Sequence, residues 1–172
     1  VIDAIPRGDA LFDSTGAYRY RLSRVWDEAL PRVCWILLNP STATASVDDP
    51  TISRVVGFSR SWGFGSVDVV NLFAFRTPNP RGLRHIADPV GDGNDETIVA
   101  TASSSPQVIS AWGNHGILEN PSTGAPRFLE VQRLLAEAGV HTACLGRTKH
   151  GQPRHPLYLT ASTPVDEGPP QP

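Results

Sequence analysis

Residues 33–38 read Val-Cys-Trp-Ile-Leu-Leu, an apolar run with no polar break that stops at Asn39-Pro40. A strand with one wet face alternates apolar and polar side chains. An unbroken run needs cover on both faces, as in a parallel sheet packed between helices. Three further runs share this character: 67–73, 108–112 and 142–145, the last ending at Gly146. Helical periodicity fills the intervals. Asp49-Pro50 opens one helix, with Ile52, Val55, Val56 and Phe58 inward and Gly63 near its end. Residues 94–102 give a second. Residues 127–138 give a third, where Phe128, Val131, Leu134 and Leu135 share a face and Gly139 stops the helix. An earlier stretch, 19–26, reads as a short edge strand from a hairpin around Ser14-Thr15-Gly16. The expectation is an α/β fold: a three-layer αβα sandwich around a central, mostly parallel sheet of four or five strands.

The chain has 172 residues, enough for one domain. Its 40% apolar content suits a sizeable core and is too high for a disordered chain. A single domain is expected over residues 1–162, with a Pro-rich tail over 163–172. The 15 Lys+Arg against 17 Asp+Glu give a net charge of −2, which excludes a polybasic binder acting by bulk charge but leaves room for local basic patches. No apolar run approaches the ~20 residues that span a bilayer, and no secretory pattern opens the chain. A cytoplasmic protein with no membrane partner is expected. Met is absent, so the chain is expected to lack its initiator residue. Cys34 and Cys144 lie in separate apolar runs with no CxxC pair, which argues against a disulfide framework or a cysteine zinc site.

In doubly wound sheets, function gathers beyond the carboxyl ends of the strands. Here those ends are polar: Asn39-Pro40-Ser41-Thr42, then Asn71 and Arg76-Thr77-Pro78-Asn79, then Gly113-Asn114-His115, then the stretch from Arg147 to His155-Pro156. Ser41 has no Gly-x-Ser-x-Gly elbow around it, and a serine after proline suits a turn cap better than a nucleophile. Both cysteines read as small buried hydrophobes. The five histidines form no HxH or HExxH pair. Asp48-Asp49 would bind Mg²⁺ only if it were not capping the helix that Pro50 begins, and the cap is the preferred reading. No metal site is expected. The Gly91-Asp92-Gly93 turn lacks the strand and lysine of a phosphate loop. Two local basic concentrations remain. One holds Arg147, Lys149, His150, Arg154 and His155. The other holds Arg54, Arg60, Arg76, Arg81 and Arg84. Each is either a phosphate-contacting surface or a solvated one.

The strand-end motifs, in order Leu37-Leu38-Asn39-Pro40-Ser41, Val69-Val70-Asn71-Leu72, Ser110-Ala111-Trp112-Gly113 and Arg154-His155-Pro156-Leu157, resemble those of the uracil-DNA glycosylase superfamily. The likeness spans roughly residues 33–159. The Leu-Asn-Pro-Ser-Thr-Ala, Asp-Asp-Pro-Thr, Asn-Leu-Phe-Ala and Pro-Arg-His-Pro-Leu-Tyr-Leu segments are more closely similar to a bacterial and phage domain family of unknown function. The glycosylase resemblance implies a hydrolase that cleaves a base–sugar N-glycosidic bond, excising a damaged or modified base from DNA by base flipping, with no metal or redox cofactor. By position, it implies that Asn39 orients the attacking water and Asn71 reads the base through its amide. His155 would stabilise the departing base, and Phe73 or Trp112 would stack on it. Ser41, Arg76, Arg147, Lys149 and Arg154 would hold DNA, with Leu157 or Tyr158 filling the vacated stack. Three positions depart from the superfamily pattern: Leu38 before the first motif, Ser41 after it, and Leu157 in place of the closing serine. An amide is no strong base, so Asp49 or Asp48 would supply one. Two alternatives stay open on the same fold: a base- or DNA-recognition module without catalysis, and a hydrolase of free nucleosides or nucleotides.

Overall fold

The computed structural model describes residues 7–166. Six strands form one sheet: β1 (Arg7–Phe12), β2 (Arg19–Val25), β3 (Arg32–Leu37), β4 (Ser66–Asn71), β5 (Gln107–Ser110) and β6 (Ala143–Cys144). Three α-helices join them: α1 (Pro50–Ser61), α2 (Asn94–Ser103) and α3 (Arg127–Glu137). The sheet order is β1-β2-β4-β3-β5-β6. The β4-β3-β5-β6 portion is parallel, whereas β1 pairs with β2, and β2 with β4, antiparallel. The α/β architecture is as expected. The sheet has six strands rather than four or five, and it is mostly but not purely parallel: three of its five pairings are parallel and two antiparallel. The 19–26 segment is no edge strand either, because β1 lies outside it. β1 reads Arg-Gly-Asp-Ala-Leu-Phe and is largely exposed, so backbone pairing rather than an apolar pattern holds it in place.

The unbroken apolar run explains the layering. In β3, Val33, Trp35 and Leu37 point to one face and Cys34 and Ile36 to the other, and all are buried. The first face packs against Ile52, Val55, Val56 and Phe58 of α1. There the Trp35 ring stacks on Trp62 with centroids 5.5 Å apart and donates from Nε1 to Ser59 Oγ at 3.1 Å. The second face packs against Ile98 and Ala102 of α2 and Val131 and Leu135 of α3. The chain runs β3–α1–β4 to one side of β3, then returns by α2 to β5 on its other side. β3 and β5 therefore flank the point where the winding reverses, and their carboxyl ends splay apart to leave a crevice.

The buried carboxylate in the middle of the sheet is matched. Asp68 of β4, 2% exposed, accepts from Ser23 Oγ and from Arg32 Nη1, the latter at 2.6 Å. Beyond the expected domain limit, Val165 packs on the core and Asp166 exchanges two backbone hydrogen bonds with Cys144, at 2.9 and 2.7 Å. The rest of the expected tail, 167–172, lies outside the described residues. Among the described residues, no helix is long and apolar enough to cross a membrane.

Candidate functional site

A cleft of about 450 Å³ opens at the carboxyl ends of β3, β4 and β5. This lies in the size range of small-molecule sites. Each strand delivers a polar group as its apolar run ends. Asn39 follows β3, and its Nδ2 donates to the carbonyls of Pro40 at 2.9 Å and Thr77 at 2.8 Å. Two carbonyl partners fix the amide's orientation and leave Oδ1 as an acceptor for a molecule in the cleft. Asn71 closes β4. It is 1% exposed and lines the cleft, yet neither Oδ1 nor Nδ2 has a hydrogen-bond partner. Burying an amide unpaired costs about 1–3 kcal/mol, and this donor–acceptor pair is open to a partner from the cleft. Its backbone is firmly held: Asn94 Nδ2 donates to the carbonyls of Asn71 at 3.1 Å and Leu72 at 3.2 Å.

After β5 the chain turns at Gly113, whose φ of +72° favours glycine. A Cβ there would lie 3.3 Å from that of His155. The turn brings His115 to the cleft and docks the 147–153 loop, through Gly113 N–H donating to Pro153 O at 2.9 Å. His155 follows that loop and lines the cleft. Its Nδ1 accepts from the Leu157 N–H at 3.3 Å, which leaves the proton of the neutral imidazole on Nε2 as a donor. Burial lowers the His155 pKa, and the opposing charge of Asp49 only partly offsets this. The ring is therefore neutral at neutral pH. Asp49 caps α1, with Oδ1 accepting from the Ile52 N–H at 2.9 Å, and also lines the cleft. Asp48 points elsewhere, into an ion pair with Arg24 at 2.8 Å.

Of the other expected site residues, Ser41, Trp112, Arg154 and Tyr158 line the same cleft. Trp112 is 2% exposed and fixed by Nε1 donating to Gln152 Oε1 at 2.8 Å, so it forms wall rather than a movable stacking ring. Phe73, Arg76, Arg147, Lys149 and Leu157 are not brought to the cleft. Phe73 is wholly buried in the core. Arg76 donates to Gly16 O at 2.9 Å and lies over the Phe12 ring. Arg147 donates to Gly151 O at 3.0 Å within its own loop. The sequence reading missed one cleft residue of consequence, Arg19. It heads β2, and because β2 runs antiparallel to β4 its first residue reaches the same rim as the last residue of β4. Among the described residues, no group of His, Cys, Asp and Glu is arranged to hold a metal ion.

No curated protein and no solved structure matches the chain. The match to a family model covers residues 19–157, which takes in β2 to β6 and all three α-helices. That match brings no activity with it and does not reach the glycosylases. The chain belongs to the family described as Protein of unknown function (DUF1643).

Proposed function

We propose that the cleft binds a nucleobase and hydrolyses its N-glycosidic bond, with a damaged or modified base in DNA as the leading substrate. One observation carries this reading: the buried, unpartnered Asn71 amide shares a cleft with Asn39, His155 and Asp49. A carboxamide with both ends free pairs with the lactam or amidine edge of a heterocycle, one donor to one acceptor. His155 Nε2–H would then donate to a carbonyl of the base. As the glycosidic bond breaks, its electron pair moves onto the base, and that hydrogen bond strengthens with the growing charge. Water adds to the anomeric carbon from a site oriented by Asn39 Oδ1. Its proton passes to Asp49, the carboxylate that lines the cleft. Asp48 is removed from this role by its pairing with Arg24.

The second reading, cleavage of a free nucleoside or nucleotide, is favoured by a separate observation. Arg76 and Arg147, expected to clamp DNA phosphates, spend donors on backbone carbonyls. A base-release assay separates the two. Oligonucleotides carrying uracil, deaminated, alkylated or hypermodified bases are incubated with the protein, treated with alkali and examined for strand breaks, beside free nucleotides assayed for base release. Breaks that fall ~100-fold or more in His155→Ala and in Asn39→Ala support excision from DNA. Release from nucleotides alone selects the second reading. Binding without release on any substrate would leave a recognition module.

A further inference from the structure

Three arginines are buried among the described residues: Arg19, Arg24 and Arg127. Two are answered by carboxylates. Arg24 meets Asp48, and Arg127 meets Asp95 and Glu130. Arg19, 2% exposed, meets none within ion-pair distance. Its Nη1 donates to Ala43 O at 2.7 Å, and its Nε is buried with no partner. A guanidinium has five N–H donors, so most of this one's capacity is unspent in a place where water cannot freely supply the deficit. Burial lowers its pKa to about 10, with Asp49 acting in the opposite sense and Arg76 and Arg24 adding to the depression. The group nonetheless stays charged at neutral pH. The second cation on the cleft is Arg154, exposed at its mouth, and Asp49 is the carboxylate among the lining residues. A buried cation without a counterion is costly unless a ligand anion completes it.

We propose that Arg19 is an anion anchor: the cleft takes a ligand that carries a phosphate, with Arg19 holding the phosphate while Asn71 and His155 hold the base. The choice of phosphate over another anion rests on the nucleobase reading above. The phosphate belongs either to a free nucleotide or to the backbone beside a flipped one, and both present the same chemistry to a guanidinium fork.

The test is calorimetric titration of the full chain with four probes: inorganic phosphate, 2′-deoxyribonucleosides, their 5′-monophosphates, and a short single-stranded oligonucleotide. The monophosphates or the oligonucleotide should bind at least tenfold tighter than the nucleosides. Arg19→Gln should erase that preference, and Arg19→Lys, which keeps the charge without the fork, should retain part of it. A monophosphate that binds tighter than the oligonucleotide identifies a free nucleotide as the source, and the reverse identifies DNA. Equal affinity for nucleoside and nucleotide in the unaltered protein overturns the proposal, as does a phosphate preference that survives Arg19→Gln. Absence of binding by every phosphate probe at millimolar concentration overturns it too. The unaltered protein and Arg19→Lys keep the test decisive if Arg19→Gln fails to fold. Arg19-dependent phosphate binding beside a silent base-release assay would sink the glycosidase reading and leave the anchor standing.

Discussion

Arg127 and Arg19 are both buried guanidiniums, 1% and 2% exposed, set in surroundings of different kinds. Arg127 donates from Nε to Leu72 O at 2.9 Å, from Nη1 to Glu130 at 3.0 Å and from Nη2 to Asp95. It pins α3 and α2 to the end of β4, and each of its three nitrogens donates to an acceptor of the protein. Arg19 has one carbonyl and an idle Nε, and its neighbour in the cleft, Asn71, has both ends of its amide idle. The first region spends its buried polar groups on the fold. The second holds them in reserve at a cost in stability, as binding and catalytic sites commonly do.

The contrast is open to direct attack. The largest effect is expected from Arg127→Met, which leaves Glu130 and Asp95 without their cation and should cost about 3 kcal/mol in urea unfolding. Arg19→Met at nearly the same burial should stay within about 1 kcal/mol of the parent, because no carboxylate is abandoned. If the two substitutions cost the same, the distinction between structural and reserved arginine collapses. Asn71→Leu is similar in size and removes an unpaired buried amide, so it should raise stability by about 1 kcal/mol while abolishing ligand binding. A loss of more than ~1 kcal/mol would mean that the amide serves the fold after all.

The imidazole of His155 sharpens the comparison through pH. Its folded-state pKa lies below the ordinary 6.5, so the unfolded chain binds more protons in the interval between the two. Its contribution to stability is complete above pH 6.5 and is lost as pH falls from there through the lower folded value. His155→Gln should flatten that limb of the stability–pH curve, and an unchanged limb would assign the slope to other groups. The smallest effect falls on Tyr158, 80% exposed, with its ring 5.8 Å from that of His155. Tyr158→Ala should move stability by less than ~0.5 kcal/mol and lower the affinity for a base-bearing ligand. Unchanged affinity would remove Tyr158 from the site.

The legibility of the molecule follows the same division. β3, β4 and β5 announce themselves because burial on both faces demands uninterrupted apolar residues. Asn39, Asn71 and His155 are visible for a related reason, since a polar residue where such a run ends has one rim to occupy. β1 is hidden because exposed edge pairing needs no pattern. Arg19 is hidden with it: in sequence it is a charged residue at the head of an amphipathic hairpin, which reads as solvent-facing. Only the antiparallel pairing of β2 with β4 carries it to the rim. In the basic stretches, sequence counts charges and cannot see that Arg76 and Arg147 each give one donor to a backbone carbonyl and stand outside the cleft.

The short pairing of Asp166 with Cys144 bears on how the protein behaves in a crowded solution. β6 is two residues long and ends the sheet, where an unpaired strand offers its N–H and C=O groups as a template to any passing chain. Asp166 occupies both bonding groups of Cys144. At the opposite edge, β1 carries Arg7 and Asp9 and an irregularity between Leu11 and Phe12, each of which discourages a second strand from adding there. The sheet thus guards its two margins by different means, and a chain cut short before Val165 would lose one guard and become prone to sticking to its own copies through β6.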